Sequence, residues 1–449
     1  MFIALSLFTA YLFTIGYAVA SPFADRATLF DKAGLAIAAG ILINFSLMLT
    51  GQPIARVWLA GSLLAFWGVV KLFADLRARP ASASRGAGVS LAAVCGLVYV
   101  LFVYYFEMFA EPLSHWDARA IWFFHAKMIW TEGALRQSAG WNHPSIAFSN
   151  PDYPKLVPSI AAQLGYLRGY WNEFLPKGSL LVLLIPLMLW VFSFFRKRLS
   201  FVLLVSMFFF GLGAWLWNGY MDGYVALYSG VALLLIGRYM SDGRDTDLYS
   251  GICALGMAAN IKNEGLLFAL CVVATLALAA LVRRRGAGQF DELLRACPLL
   301  PRVIVIAVAP ALLWMWCKKA WGLQNDLAGD PTGGLARLWN RLVDGTTPQY
   351  LFNFLAVRAN TIWVVAALMA GGAAVSAYQR LKVPPGAVIA AVTAILYFCG
   401  LSAVYLSTPH DILPFYLLTS ATRTMATTSV ALFISMFFLL SAFESRAAD

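Results

Sequence analysis

The chain has 449 residues, of which 61% are hydrophobic and only 12% charged, with a formal net charge of +11. A soluble domain averages roughly a quarter charged residues, so this composition excludes an ordinary water-soluble enzyme and points to a membrane protein. Nucleic-acid binding is excluded as the source of the positive charge, because the basic residues are not gathered into one patch with interleaved aromatics.

Apolar stretches recur from end to end, each near the roughly 20 residues that cross a hydrocarbon core as a helix. The predicted spans are 1–20, 33–50, 56–73, 88–109, 178–195, 200–216, 222–239, 248–261, 264–282, 302–318, 357–378, 385–405 and 424–442, about thirteen in all. The fold class is therefore all-α and polytopic. The first stretch lacks a basic leader region and carries Tyr11 and Tyr17, so it reads as a retained helix. Basic clusters lie between spans, at Lys71, Arg77, Arg79 and Arg85, at Arg196, Lys197 and Arg198, at Arg283, Arg284 and Arg285, and at Arg380 and Lys382. Cytoplasmic loops carry such excesses, which puts the N-terminus outside and the C-terminus in the cytoplasm, with a bacterial inner membrane as the expected location. Of the six cysteines, Cys95, Cys253, Cys271, Cys317 and Cys399 fall in apolar runs and none forms a CxxC pair; neither a zinc site nor a disulfide framework is expected.

Two predicted outer loops, 110–177 and 319–356, exceed what a tight connection needs, and long loops are more often functional than idle. All four histidines, His115, His125, His143 and His410, fall on predicted outer segments. The first loop opens with Pro112-Leu113-Ser114-His115-Trp116-Asp117 and runs through an aromatic stretch to Trp130, with Glu132-Gly133 as a helix end. This is a helix start lying at the membrane interface. Asp117 reads as the third residue of a capping box headed by Ser114 and as a general base held just above the bilayer, two roles that can hold together. Farther on, Asn150-Pro151-Asp152-Tyr153-Pro154-Lys155 fixes a turning backbone; Asp152 either closes an Asx turn or brings a second carboxylate over the site, to bind sugar hydroxyls or to share a divalent cation with Asp117.

Asp222 stands at the outer end of a span, where a carboxylate is favoured by the helix dipole even without a function. Asn260, Lys262, Asn263 and Glu264 interrupt 35 mostly apolar residues, 248–282. Two short spans with the break at the outer surface spare these charges burial in hydrocarbon. A Lys262–Glu264 ion pair is the plain reading; the functional one is that Lys262 holds a phosphate as a mobile point charge. The last outer loop runs from Ser407-Thr408-Pro409-His410-Asp411 to Arg423. Snorkelling accounts for one such arginine, while a functional Arg423 would clamp phosphate oxygens bidentately with His410 as a further donor.

This pattern resembles the GT-C superfamily, the integral-membrane glycosyltransferases that use polyprenyl-phosphate-linked sugars, such as protein O-mannosyltransferases and lipid A aminoarabinose transferases. The resemblance rests on Trp116-Asp117, Asn150-Pro151-Asp152-Tyr153-Pro154, Lys262-Asn263-Glu264-Gly265 and His410-Asp411…Ser420…Arg423, and covers about 90–425. It implies a GT-C-like core with interfacial helices in the first large loop, a base at Asp117 and a phosphate-proximal lysine at Lys262. One departure is that the first large loop follows the fourth span instead of the first, so 1–87 reads as a three-helix N-terminal extension and 88–449 as the core.

The expected activity is transfer of a sugar, with inversion, from a polyprenyl-phosphate donor to an acceptor hydroxyl on a glycan, lipid or protein at the extracytoplasmic face. Asp117 would be the base, Lys262, Arg423 and His410 the leaving-group stabilisers, Asp152 and Glu264 would position the sugar or a divalent cation such as Mg or Mn, and Asp222 would be a further substrate-binding residue. The alternatives are a lipid-linked saccharide flippase, which would need charged or broken helices near the midplane and repeat symmetry, a polysaccharide polymerase or ligase, and a structural membrane subunit.

Overall fold

A computed structural model describes residues 1–20, 27–78, 89–195, 198–282, 297–323, 331–358, 360–378, 382–409 and 413–446. His410 and Asp411 therefore lie outside the described residues, as do Arg79, Arg196, Arg283 and Arg380 of the basic clusters. The described chain is helical with no strand; an isolated bridge joins Pro53 to Ala134.

The helices are α1 (Phe2–Ala20), α2 (Leu29–Met48), α3 (Ile54–Ala78), α4 (Leu91–Ala110), α5 (Phe123–Glu132), α6 (Leu156–Arg168), α7 (Phe174–Ser193), α8 (Leu199–Val205), α9 (Ala214–Trp217), α10 (Met221–Asp242), α11 (Asp245–Ile261) and α12 (Asn263–Val282). They continue as α13 (Leu300–Ala320), α14 (Pro331–Asp344), α15 (Thr346–Arg358), α16 (Asn360–Tyr378), α17 (Pro385–Ser407) and α18 (Ala426–Arg446). Ten helical stretches among the described residues are long and apolar enough to cross a membrane: α1 to α4, α7, α10, α12, α13, α17 and the continuous run Leu413–Arg446. Three other predicted spans coincide with shorter helices, Leu199–Gly211, α11 and Thr361–Ser376. The chain is thus an all-α, multi-pass membrane protein.

Burial separates the helices into two kinds. Every residue of α10 from Met221 to Arg238 is buried, with α11, α17 and α18 packed around it. Helix α2 is also interior and packs against α1, α7, α11 and α13. In contrast, α3 turns Leu59, Leu63, Phe66 and Trp67 outward, and α4 turns out Val98, Tyr99, Phe102 and Phe106. Water would penalise such large apolar side chains on the outside; hydrocarbon does not.

Polar contacts mark the two ends of the bundle. At one end Asp31 of α2 accepts from Arg238 of α10 at 2.7 Å and from Arg244 at 2.7 Å, while Asp247 of α11 accepts from Arg238 at 2.6 and 2.8 Å. Arg238 also donates to Ser193 Oγ at 3.1 Å and covers the Phe194 ring at 3.8 Å. Asp31 doubles as the third residue of a capping box with Thr28, so one carboxylate closes the start of α2 and ties it to α10. Both aspartates are fully buried. Deleting one partner of such a network strands the others, which costs about 3–5 kcal/mol. Arg238→Met should therefore lower the apparent unfolding temperature in detergent sharply, whereas Arg198→Met, whose partner Ser445 lies on the exposed surface, should barely change it.

Candidate functional site

The opposite end gathers the connections after α4, α9, α11, α13 and α17. Lys177 of α7 donates to Glu111 O at 2.9 Å. Five charged residues singled out in the sequence, Asp117, Asp222, Lys262, Glu264 and Arg423, meet here in one alternating chain of charges. Arg423 Nη1 lies 2.6 Å from Asp117 Oδ2 and 3.5 Å from Asp222 Oδ2. Lys262 Nζ lies 2.8 Å from Asp222 Oδ1 and 3.1 Å from Glu264 Oε1. Asp222 is thus the shared centre, one oxygen toward each cation.

Local backbone features set these positions. Helix formation after α4 begins at Trp116, and Asp117 precedes a π-helical turn over Ala118–Trp122 that leads into α5. A second π-turn, Leu417–Ala421, precedes Arg423. A π-turn inserts one extra residue into a helix and re-aims the neighbouring side chains, a device common at functional sites. The Asp117 carboxylate goes to Arg423, and no capping bond from Ser114 to it is present among the described residues. Gly219, at φ +89°, turns the chain into Tyr220 with Ala118 packed so close that an added Cβ would sit 2.6 Å from the Ala118 Cβ. Tyr220 in turn lies under the Arg423 guanidinium, 4.3 Å from ring centre to Cζ.

The apolar run 248–282 resolves into α11 and α12, broken at Lys262, whose φ of −153° and ψ of 155° are extended. Gly265 lets the hairpin close: a Cβ there would stand 2.0 Å from Ala258 O. The break leaves Asn260 Oδ1 and Glu264 Oε2 buried with no hydrogen-bond partner among the described residues. Burial alone would push the Lys262 ammonium toward deprotonation; the Asp222 and Glu264 carboxylates outweigh it and hold its pKa well above the ordinary lysine value.

Asp152 joins through a second set of contacts. Its Oδ2 accepts from Asn263 Nδ2 at 2.9 Å and pairs with Lys318 Nζ at 3.4 Å, and its carbonyl accepts from Trp314 at 3.2 Å. Tyr153 beside it stacks on Trp122 at 5.5 Å and lies 5.7 Å from Lys262 Nζ, so the proline-rich loop adjoins the charge chain. No group of three or more His, Cys, Asp or Glu side chains is arranged to hold a metal ion among the described residues. Asp117 Oδ2 lies against Arg423, and Asp152 Oδ2 against Asn263 and Lys318.

The loop carrying Asp152 is clamped by a residue that the sequence pattern did not single out. Lys155 is fully buried, and its Nζ donates to Pro151 O at 2.7 Å and Tyr153 O at 2.9 Å, with His125 Nδ1 at 3.2 Å. Ser149 gives its hydroxyl proton to Ile146 O, so its oxygen accepts from His125 Nε2 at 3.0 Å. A neutral His125 with its proton on Nε2 then offers Nδ1 to Lys155, which makes all three ammonium bonds. Burial, reinforced by the charge of Lys155, holds the His125 pKa well below the usual histidine value, which keeps the ring neutral. Burial pushes the Lys155 pKa well below the ordinary lysine value; the three acceptors and the Trp141 and Trp314 rings, 4.8 and 5.1 Å from Nζ, favour the charged form against that burial. Asn150, at φ +50°, is the one non-glycine residue with positive φ among the described residues, at the turn this clamp holds. Lys155→Met would strand two carbonyls and a ring nitrogen, each costing about 1–3 kcal/mol. It should raise hydrogen exchange across 150–156 and lower the unfolding temperature.

The structure therefore joins Asp117, Asp222, Lys262, Glu264 and Arg423 directly and sets Asp152 beside them, while His410 falls outside the described residues. Lys318, Asn263, Tyr220 and the Lys155–His125 pair are further members. Of these, Asn263 and Lys155 sit in motifs that draw attention in the sequence and His125 is one of the four outer histidines; Lys318 at a span end reads as an ordinary snorkelling lysine. Fold and site together define a polytopic all-α membrane protein with an ion-paired polar centre at one end of its bundle. No family model matches the chain, and no curated protein or solved structure matches it.

Proposed function

We propose that this centre is the active site of an inverting glycosyltransferase that moves a sugar from a polyprenyl-phosphate donor to an acceptor hydroxyl at the extracytoplasmic face of a bacterial inner membrane. The observation that carries the reading is the alternating chain Asp117, Arg423, Asp222, Lys262, Glu264, which sets a candidate base beside two cations at the end of a membrane bundle.

Displacement at an anomeric carbon needs a base for the acceptor proton and positive charge where the leaving phosphate gains electrons. In the proposed reaction the acceptor oxygen forms the new bond to the anomeric carbon, its proton passes to Asp117, and the bond to the phosphate oxygen breaks with its electron pair staying on phosphate. Arg423 and Lys262 take up that charge. Donor phosphate would compete with Asp117 for Arg423, which releases the carboxylate to act as base. Glu264 Oε2, buried and without a partner among the described residues, can accept from a sugar hydroxyl. Asp222 keeps both cations in place. A donor whose phosphate sits at headgroup level and whose tail stays in hydrocarbon suits a centre at the end of the spans, with the acceptor reaching it from the loops 110–177 and 319–356.

The test is transfer from synthetic polyprenyl-phosphate sugars by the purified protein, run with Mg, with Mn and with a chelator. Transfer that survives chelation supports a metal-free centre. No transfer from any donor, together with movement of lipid-linked sugar across liposomes, would replace this reading with a flippase.

A further inference from the structure

Helix α14 lies with its polar side toward the protein and its apolar side away from it. Arg337 Nε donates to Ser407 O at 2.9 Å, and Arg341 Nη1 donates to Leu406 O and Thr408 O, both at 2.7 Å. Those carbonyls are at the C-terminal end of α17, where a helix leaves its last carbonyls without intrahelical partners. The two guanidiniums thus cap a membrane span and fix α14 at the level where that span ends. Leu335, Trp339, Leu342 and Val343, spaced i, i+4, i+7 and i+8, share one helix face and are 70%, 69%, 53% and 72% exposed.

We infer that α14 is an in-plane membrane helix whose Leu335, Trp339, Leu342 and Val343 face enters the lipid of the leaflet at the site end of the bundle. Lipid is the occupant for three reasons. The docking contacts place the helix at a span terminus, the depth at which an amphipathic helix buries its apolar face. A tryptophan in the middle of the face suits that interface. The neighbouring helices also turn large apolar side chains outward, Tyr350, Phe352 and Val357 on α15 and Val364 and Leu368 on α16. The corner at Gly345, φ +73°, lets α15 turn away directly after α14. This inference stands whether or not the transfer chemistry does.

The experiment is site-directed spin labelling of the full chain in nanodiscs, with Cys95 and Cys399, the two exposed cysteines, replaced by serine. Labels at 335, 339, 342 and 343 should be more accessible to oxygen, which partitions into lipid, than to an aqueous nickel chelate. A label at Asn340, off this face, should show a smaller preference for oxygen. Greater accessibility to the chelate at 339 and 343 would overturn the inference and leave the face in water. Dipolar broadening between chains labelled at 339, lost on dilution with unlabelled protein, would overturn it in favour of a second copy. Labels need no polar substitution in the face, so a folding failure does not obscure the result.

Discussion

Asp117→Asn is expected to reduce sugar transfer by about 10²- to 10⁴-fold, the range of general-base contributions, with little change in donor affinity or stability. The substitution keeps shape and one acceptor oxygen but removes the charge that takes the acceptor proton. The remainder of the network has reason to stay: Arg423 keeps Asp222 at 3.5 Å and the Tyr220 ring at 4.3 Å, and Lys262 keeps both of its carboxylates. Donor affinity should even rise slightly, because phosphate would no longer compete with a full negative charge for Arg423. The measurements are kcat/KM with the transferable donor, donor Kd, and the unfolding temperature of the same preparation. A variant that folds, binds donor and transfers within a few-fold of wild type would remove Asp117 from the chemistry and leave it as an anchor for Arg423.

How far the site could be read from the sequence depended on the kind of contact. Charges inside or at the ends of apolar runs are visible without coordinates because hydrocarbon penalises them, and that signal points to Lys262 and Glu264 within a run and to Asp222 and Arg423 at span ends. Pairing was less accessible. The sequence suggests Lys262 with Glu264, two residues apart, but the shorter contact is to Asp222, 40 residues away, through packing of α10 against α11. Asp117 and Arg423 are 306 residues apart, and no local rule joins them. The capping-box pattern at Ser114 was a local reading, and the long-range bond prevailed over it. Spans were legible where an apolar run exceeded about 18 residues and less so at α11, 17 residues long, and at the α8 region, where the apolar helix Leu199–Gly211 is shorter still. The amphipathic character of α14 lies in plain sequence within 319–356, but its polar side faces the protein, the reverse of a helix on a water-soluble surface.

Lys262→Met separates a leaving-group role from a purely structural one when it is paired with a second change. Alone, it strands Asp222, which is buried and would keep only the 3.5 Å contact to Arg423. Losing one partner of a buried pair costs about 3–5 kcal/mol, so the single variant should unfold at a markedly lower temperature as well as fail in transfer. The double variant Lys262→Met with Asp222→Asn removes the stranded charge and should recover most of that stability, a coupling that a double-mutant cycle measures directly. Activity should not recover with it. If the ammonium stabilises the departing phosphate, the double variant stays about 10²- to 10³-fold down, the scale of losing one preorganised donor, with the loss in kcat more than in KM. Recovery of transfer alongside stability would show that Lys262 serves only as the counterion of Asp222, and would leave Arg423 as the sole described cation of the chain able to meet the phosphate. Glu264 offers an internal check on the same preparation, since Glu264→Gln removes a charge from Lys262 but keeps an acceptor oxygen. It should weaken transfer less than Lys262→Met does, because the ammonium it touches is still held by Asp222 at 2.8 Å.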